Sequence, residues 1–193
     1  MKRLFLILIL ILGFQTSINA DDINEFEIEG MSIGDSLLDY FSEKEIKKHL
    51  KRTTSTYKDN KISRIEYIAD SKLYETISLH YKNDGSFKIV NVGGRILYQN
   101  INKCFIKMKE VINEIENQLP SANKVNQGQI KYSKDPTGKS YSESVIFELE
   151  NGEIFIACVN WSKHIEDKFN WRDHFAVELD SAEFLNWLYN ESQ

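Results

Sequence analysis

The chain has 193 residues with a formal net charge of −5 at pH 7, and 41% of its residues are hydrophobic. This length is enough for one domain with a sizeable core, whereas the acidic balance excludes nucleic acid as a favourable partner. The sequence contains only two prolines and no low-complexity run that would mark a linker. We therefore predict a single domain over residues 21–193, preceded by a targeting segment.

The targeting segment is residues 1–20. A cationic start at residues 1–3 is followed by nine consecutive apolar residues, 4–12, and a more polar stretch that ends at Ala20. This is the layout of a secretory signal peptide, and we predict cleavage near Ala20. The apolar run is shorter than the about 20 residues that span a membrane. No cysteine lies near the predicted cleavage point, so none is present there to carry a lipid anchor. The mature protein is thus expected to be periplasmic or secreted, with no membrane anchor.

Two capping-box patterns open the mature chain, at residues 32–35 (Ser-Ile-Gly-Asp) and 42–45 (Ser-Glu-Lys-Glu). In each, a hydroxyl side chain precedes a carboxylate by three residues, which is typical of a helix start. The sequence therefore predicts two successive short helices, the second ending near Leu50.

Three strands are predicted next, because the apolar residues now alternate along residues 65–69, 73–81 and 87–92. The segment Asn83-Asp84-Gly85 supplies the residues that favour a tight hairpin turn. Gly93 and Gly94 predict a bulge before the last strand residues, 96–98.

A long amphipathic helix follows. Apolar residues recur every three or four positions from Ile101 to Leu119, and Pro120 stops the pattern. Cys104 lies on this apolar stripe. The segment 121–141 is polar, with a short edge strand predicted near residues 130–132.

The last elements are three strands and a helix. Asn151-Gly152 is a strong hairpin signal between residues 145–149 and 154–161. The second of these strands is apolar at nearly every position, so we expect it to be central. A charged loop, 162–174, leads to a strand at 175–179, and Ser181 is expected to cap a final helix.

The predicted order is therefore ααβββ and then αβββα. Hairpins dominate and no βαβ alternation occurs, which favours an α+β fold. We expect an antiparallel sheet with helices packed mainly on one face.

Cys104 and Cys158 are the two cysteines of the chain. In an oxidising compartment an even count favours a disulfide, which here has only one possible pairing. Cys104 lies on the helix stripe and Cys158 on the expected central strand, so the bond would join helix to sheet. The alternative is two buried free thiols.

Several familiar catalytic and cofactor patterns are absent. Residues 134–140 (Lys-Asp-Pro-Thr-Gly-Lys-Ser) end like a phosphate-binding loop, but Ser133 stands where the first glycine is needed, and no helix is expected to follow. We interpret this segment as a surface turn. The histidines lack zinc-ligand spacing, and no Gly-x-Ser-x-Gly motif is present. We predict neither a cofactor nor a metal site.

The candidate binding residues are Trp161, Trp171 and Arg172. Tryptophan and arginine are enriched at binding hot spots, and loops that a sheet supports often carry function. In the alternative interpretation, Trp161 closes the core and Trp171 anchors the loop onto the sheet.

Residues 29–37 (Glu-Gly-Met-Ser-Ile-Gly-Asp-Ser-Leu) resemble the entry to the paired helices of the SmpA/OmlA family of small outer-membrane assembly lipoproteins. In that family two helices lead into three antiparallel strands, an order that residues 29–98 share. This chain lacks the family's lipid-bearing cysteine. Most of the mature chain also resembles exported proteins of unknown function from marine alphaproteobacteria, through residues 29–41, the helix that carries Cys104 and residues 158–162. That likeness implies a periplasmic address and no particular activity.

Our first hypothesis is a non-enzymatic binding or interaction protein whose partner is an envelope protein or a small ligand. The second is a hydrolase that acts on envelope material with acid and base residues from the 162–174 loop, namely Glu166, Asp167, Asp173 and His174. The third is an assembly accessory that works through an exposed sheet edge. A concave pocket joining the carboxylates and histidines would favour the enzyme, and an aromatic patch would favour the binding protein.

Overall fold

The structure is a computed structural model that describes residues 22–50, 60–71 and 73–190. The predicted signal peptide, residues 1–20, lies outside the described residues. The fold is built around antiparallel strands, which the hairpin signals at residues 83–85 and 151–152 had indicated.

In the described part of the chain, a two-stranded sheet precedes a main sheet of seven antiparallel strands. The strands are β1 (Glu27–Ile28), β2 (Met31–Ser32), β3 (Ile62–Ile68), β4 (Thr76–Lys82), β5 (Ile89–Leu97), β6 (Asn123–Lys131), β7 (Tyr141–Leu149), β8 (Gly152–Asn160) and β9 (His174–Ser181). The main sheet runs β3-β4-β5-β9-β8-β7-β6 in space. Strand β9 is therefore the middle strand, and β8, which we expected to be central, lies beside it.

Four α-helices complete the described residues: α1 (Glu43–Leu50), α2 (Ile101–Gln118), α3 (Lys163–Phe169) and α4 (Ala182–Asn190). Short 3₁₀ helices occur at Ile23–Glu25 and Leu37–Asp39. The α+β class and the antiparallel sheet are confirmed.

Helix α2 packs across β8 and β9 and covers one face of the sheet. Because side chains alternate along a strand, Ile154, Ile156 and Cys158 of β8 all point to this face, and all three are buried. Cys104 in the first turn of α2 is bonded to Cys158, with Cα atoms 5.9 Å apart, inside the range that a disulfide needs. The predicted disulfide is confirmed. Helix α1 lies on the same face.

Helix α4 packs on the opposite face, close to β5, β8 and β9, and its side chains also reach β3 and β4. Its Phe184 and Trp187 form a separate apolar cluster with Ile62 and Val90. Ser181 Oγ accepts a hydrogen bond from the Phe184 backbone N–H at 3.1 Å, which confirms the predicted cap. The rest of this face is not covered by α4.

The first predicted helix is wrong. Residues 31–32 form strand β2, and only a 3₁₀ turn follows at Leu37–Asp39. The Asp35 carboxylate does accept from the Ser32 N–H, as in a capping box. However, the Gly34 N–H donates to the Ile89 carbonyl, and the Ile89 N–H donates to the Asp35 carbonyl. Pairing with β5 thus takes the backbone groups that a helix would need.

The bulge predicted at Gly93-Gly94 is also wrong, because β5 pairs with β4 in steady register through both glycines. The register shifts instead between His80 and Tyr81. A Cβ atom on Gly94 would lie 2.5 Å from the Tyr74 ring. The glycine is required for close packing rather than for a bulge.

Candidate functional site

The open face of the sheet carries a groove of about 650 Å³. Its lining includes Arg64 and Glu66 from edge strand β3 and also Ile130 and Lys131 from the opposite edge strand, β6. Side chains from both edges line one cavity, so the seven-stranded sheet is curled around it. The volume is within the range of small-molecule sites. We call this cavity the aromatic groove.

A cluster of aromatic rings forms one end of the aromatic groove. The ring centroids of Trp161 and Trp171 are 4.7 Å apart, and Tyr132 meets Trp161 edge-on at 5.2 Å. Phe169 stacks on the Trp171 ring at 5.0 Å. Trp161 and Trp171 belong to neither hydrophobic core cluster of the described residues. The cluster is therefore a surface feature at this end of the groove.

Local structure after β8 sets the position of these rings. The predicted charged loop at 162–174 contains helix α3, which sequence reasoning missed. Ser162 caps that helix, since its Oγ accepts from the Ile165 N–H. Asn170 ends the helix in a left-handed conformation with φ of 56°. This reversal brings Trp171 back onto Trp161.

The turn at residues 134–140 supports the same region. Asp135 is buried at its centre and accepts hydrogen bonds from the N–H and hydroxyl groups of Thr137 and Ser140. Burial opposes ionisation, but these bonds outweigh it and hold the pKa of Asp135 well below its usual range. Ser140 Oγ in turn accepts from the Ser162 N–H at 2.9 Å. The segment is a turn, as interpreted, and no helix follows it.

Arg172 extends beside the aromatic rings and is held by neutral oxygen atoms. Its guanidinium donates to the Trp171 carbonyl at 2.8 Å and to Asn170 Oδ1 at 2.9 Å. The Arg172 carbonyl accepts from His174 Nδ1 at 2.9 Å. Burial lowers the pKa of His174, so this imidazole is neutral at pH 7.

An ion-paired cluster forms the other end of the groove. Glu66 Oε2 accepts from Arg64 and, at 3.2 Å, from Arg95 Nη1. The buried Nε of Arg95 has no hydrogen-bond partner among the described residues. With Lys131 and Arg172, the lining carries four cationic side chains and one carboxylate, so the groove is locally positive in an acidic chain.

The residues of the hydrolase hypothesis are not gathered into this groove. Asp167 pairs with Lys163 at 2.7 Å, and Asp173 Oδ1 accepts from the Trp161 N–H at 2.7 Å. Glu166 lies on α3, and among the candidate acid and base residues only His174 lines the groove. Within residues 22–50, 60–71 and 73–190, no group of three His, Cys, Asp or Glu side chains is placed to hold a metal ion.

The three candidate binding residues, Trp161, Trp171 and Arg172, do lie together in the groove lining. Sequence reasoning missed the partners that come from distant parts of the chain. These are Arg64, Glu66, Arg95, Lys131 and Tyr132. The polar positions of β3 alternate with apolar ones, a pattern that marks an outward face but does not show what that face meets.

Comparisons with protein-family models, curated proteins and solved structures find no match to this chain. Among the described helices, none has the length and apolar character needed to cross a membrane. The chain is thus defined by its own architecture: an α+β protein whose curled antiparallel sheet has α2 on one face and an aromatic, cationic groove on the other.

Proposed function

We propose that the protein is an exported, non-enzymatic binding protein whose ligand occupies the aromatic groove. The observation that carries this proposal is the concentration of exposed apolar surface at one concave site. Leu97, Ile130 and Trp171 line the groove, Phe169 stacks on Trp171, and these side chains are 39–50% exposed. Clustered exposed apolar side chains, rimmed by polar groups, are typical of ligand-binding grooves.

The disulfide supports the cellular part of the proposal, because such bonds persist in oxidising compartments. We propose export through the signal peptide at residues 1–20, with cleavage after Ala20. Mass spectrometry of the protein from the periplasm or medium is expected to give an N-terminus at Asp21. A cytosolic protein that retains Met1 would contradict export.

A double substitution, Trp171→Ala with Arg172→Ala, tests the binding function. The probe is the low-molecular-mass fraction of an envelope extract. With the wild-type protein we expect this fraction to raise the melting temperature, and with the variant this rise should be lost. Trp171 is 39% exposed, so the variant itself should lose only about 1 kcal/mol of stability.

The matched control is Tyr189→Ala with Lys44→Ala, which removes an exposed ring and a cation outside the groove lining. This control should respond to the extract like the wild type. Equal responses from the groove variant and the control would contradict binding in the groove. Unfolding of the groove variant would instead support the interpretation of Trp171 as an anchor for its segment.

A further inference from the structure

The aromatic end of the groove is a platform rather than a slot. Trp161 and Trp171 contact each other at 4.7 Å with an interplanar angle of 52°, so no planar ring fits between them. Tyr132 stands edge-on to Trp161, and Phe169 stacks on Trp171 at 28°. A ligand must therefore lie over the tilted pair. Sugar rings, which are puckered and present apolar C–H faces, suit such a surface better than flat aromatic ligands do.

Cations beside the platform lack acidic partners. Neither Arg172 nor Lys131 forms an ion pair with any acidic side chain that the structure describes. Arg172 is nevertheless held in place by the Trp171 carbonyl and by Asn170. A fixed guanidinium with an uncompensated charge is complementary to a carboxylate or a sulfate.

The groove is longer than one sugar ring. Val159, His174 and Leu97 lie side by side on the neighbouring strands β8, β9 and β5. Trp161 follows Val159 by two residues, whereas Arg95 precedes Leu97 by two residues, so the two side chains are displaced in opposite directions from this row. Standard strand geometry gives roughly 15 Å along the sheet from Trp161 to Arg95. At this far end, Glu66 and Arg95 offer an acceptor and donors of the kind that hydroxyl groups need.

Building on the proposed function, we infer that the ligand is an acidic oligosaccharide. Its sugar rings pack on Trp161 and Trp171, and its carboxylate or sulfate groups bind Arg172 and Lys131. Hydroxyl groups of a further ring reach the Glu66–Arg95 pair.

Calorimetric titration with defined tetrasaccharides tests this inference. The probes are tetragalacturonate, tetramannuronate, a sulfated carrageenan tetrasaccharide, and fully methyl-esterified tetragalacturonate, which keeps the rings but removes the charge. We expect at least one acidic probe to bind, and its affinity to fall with added salt. If tetragalacturonate is an acidic probe that binds, its methyl ester should bind about tenfold more weakly. Binding of tetragalacturonate or tetramannuronate would indicate recognition of carboxylates, and binding of the carrageenan tetrasaccharide would indicate recognition of sulfates.

Two variants locate the binding. Arg172→Ala with Lys131→Ala should weaken the acidic probe about tenfold while leaving the ester unchanged, and Trp171→Ala should weaken both. The Tyr189→Ala, Lys44→Ala control should bind like the wild type.

The inference and the proposed function fail in different ways. Three results would overturn the acidic oligosaccharide. The first is equal affinity for acid and ester, and the second is binding that survives both groove variants. The third is binding of indole-3-acetate, a planar acidic probe tested beside the tetrasaccharides, when no tetrasaccharide binds. If no tetrasaccharide binds but the envelope extract still raises the melting temperature of the wild type and not that of the Trp171→Ala, Arg172→Ala variant, the ligand class is wrong and the binding function stands. If neither has an effect, both are wrong.

Discussion

At the scale of single residues, three buried polar side chains link strands β4, β5 and β9. His80 Nδ1 donates to Asn91 Oδ1, and Asn91 Nδ2 donates to Asp180 Oδ1, each at 2.6 Å. Burial lowers the pKa of His80 to about 4. Burial, with a further contribution from nearby Glu178, raises the pKa of Asp180 well above its usual value. The two groups therefore give opposite dependences of stability on pH.

Asp180→Asn is predicted to stabilise the protein at high pH only. Because the folded state keeps a proton on Asp180 that the unfolded chain has lost, wild-type stability falls as pH rises from about 4 to the raised pKa, by at most about 1.4 kcal/mol per pH unit. The amide that replaces this carboxyl group keeps an oxygen to accept from Asn91 and does not titrate. Urea unfolding at pH 4 and pH 8 should thus show similar stabilities at pH 4 and a more stable variant at pH 8.

His80 gives the opposite slope in both proteins, since its unfolded pKa exceeds its folded pKa and stability rises with pH between about 4 and 6.5. The difference in unfolding free energy between the variant and the wild type therefore isolates the contribution of Asp180. Asp39→Asn, at an exposed carboxylate, is the matched control and should show no such difference. If the Asp180→Asn variant were less stable than the wild type at pH 8, the charged carboxylate would be favourable in this site.

At the scale of elements, the disulfide connects the start of α2 to the end of β8. Cys158 lies three residues before Trp161, so the bond holds the strand end that carries the aromatic platform. The sequence separation of 54 residues makes this a long loop closure. Its contribution should therefore be large for a single bond.

Removal of the bond by Cys104→Ala with Cys158→Ala is predicted to cost about 4 kcal/mol, mainly through the entropy that the unfolded chain regains, with a smaller cavity term. Denaturant unfolding with and without reductant measures this loss. The wild type should be destabilised by reductant, whereas the variant should be insensitive to it. A loss below about 1 kcal/mol would mean that the bond constrains the unfolded chain far less than the loop length implies.

Elements with a strong local signal were predictable from the sequence. The periodicity of α2 extends over five turns, and the hairpin predicted at Asn151-Gly152 is present, with Leu149 opposite Gly152. The capping box at residues 32–35 failed because its backbone pairs with β5, more than fifty residues away. Helix α3 was missed because a charged segment of seven residues has too little apolar periodicity to distinguish it from a loop.

At the scale of the whole molecule, the curled sheet assembles the groove from distant parts of the chain. Trp161, Trp171 and Arg172 were predictable as a group because they are close in sequence, beside one strand. Arg64 and Arg95 join them only because the two sheet edges line one cavity. Periodicity identifies the outward positions of a strand, but it contains no information on how strongly the sheet curves.

The groove itself is tested most directly by a crystal structure of the protein with the acidic tetrasaccharide that binds in the calorimetric titration, at saturating concentration. We expect a sugar ring over Trp161 and Trp171 and a carboxylate or sulfate group within hydrogen-bond distance of Arg172 or Lys131. An empty groove, with the ligand bound instead in the polar pocket of about 540 Å³ that Asp84 and Glu183 line near α4, would contradict binding in the aromatic groove.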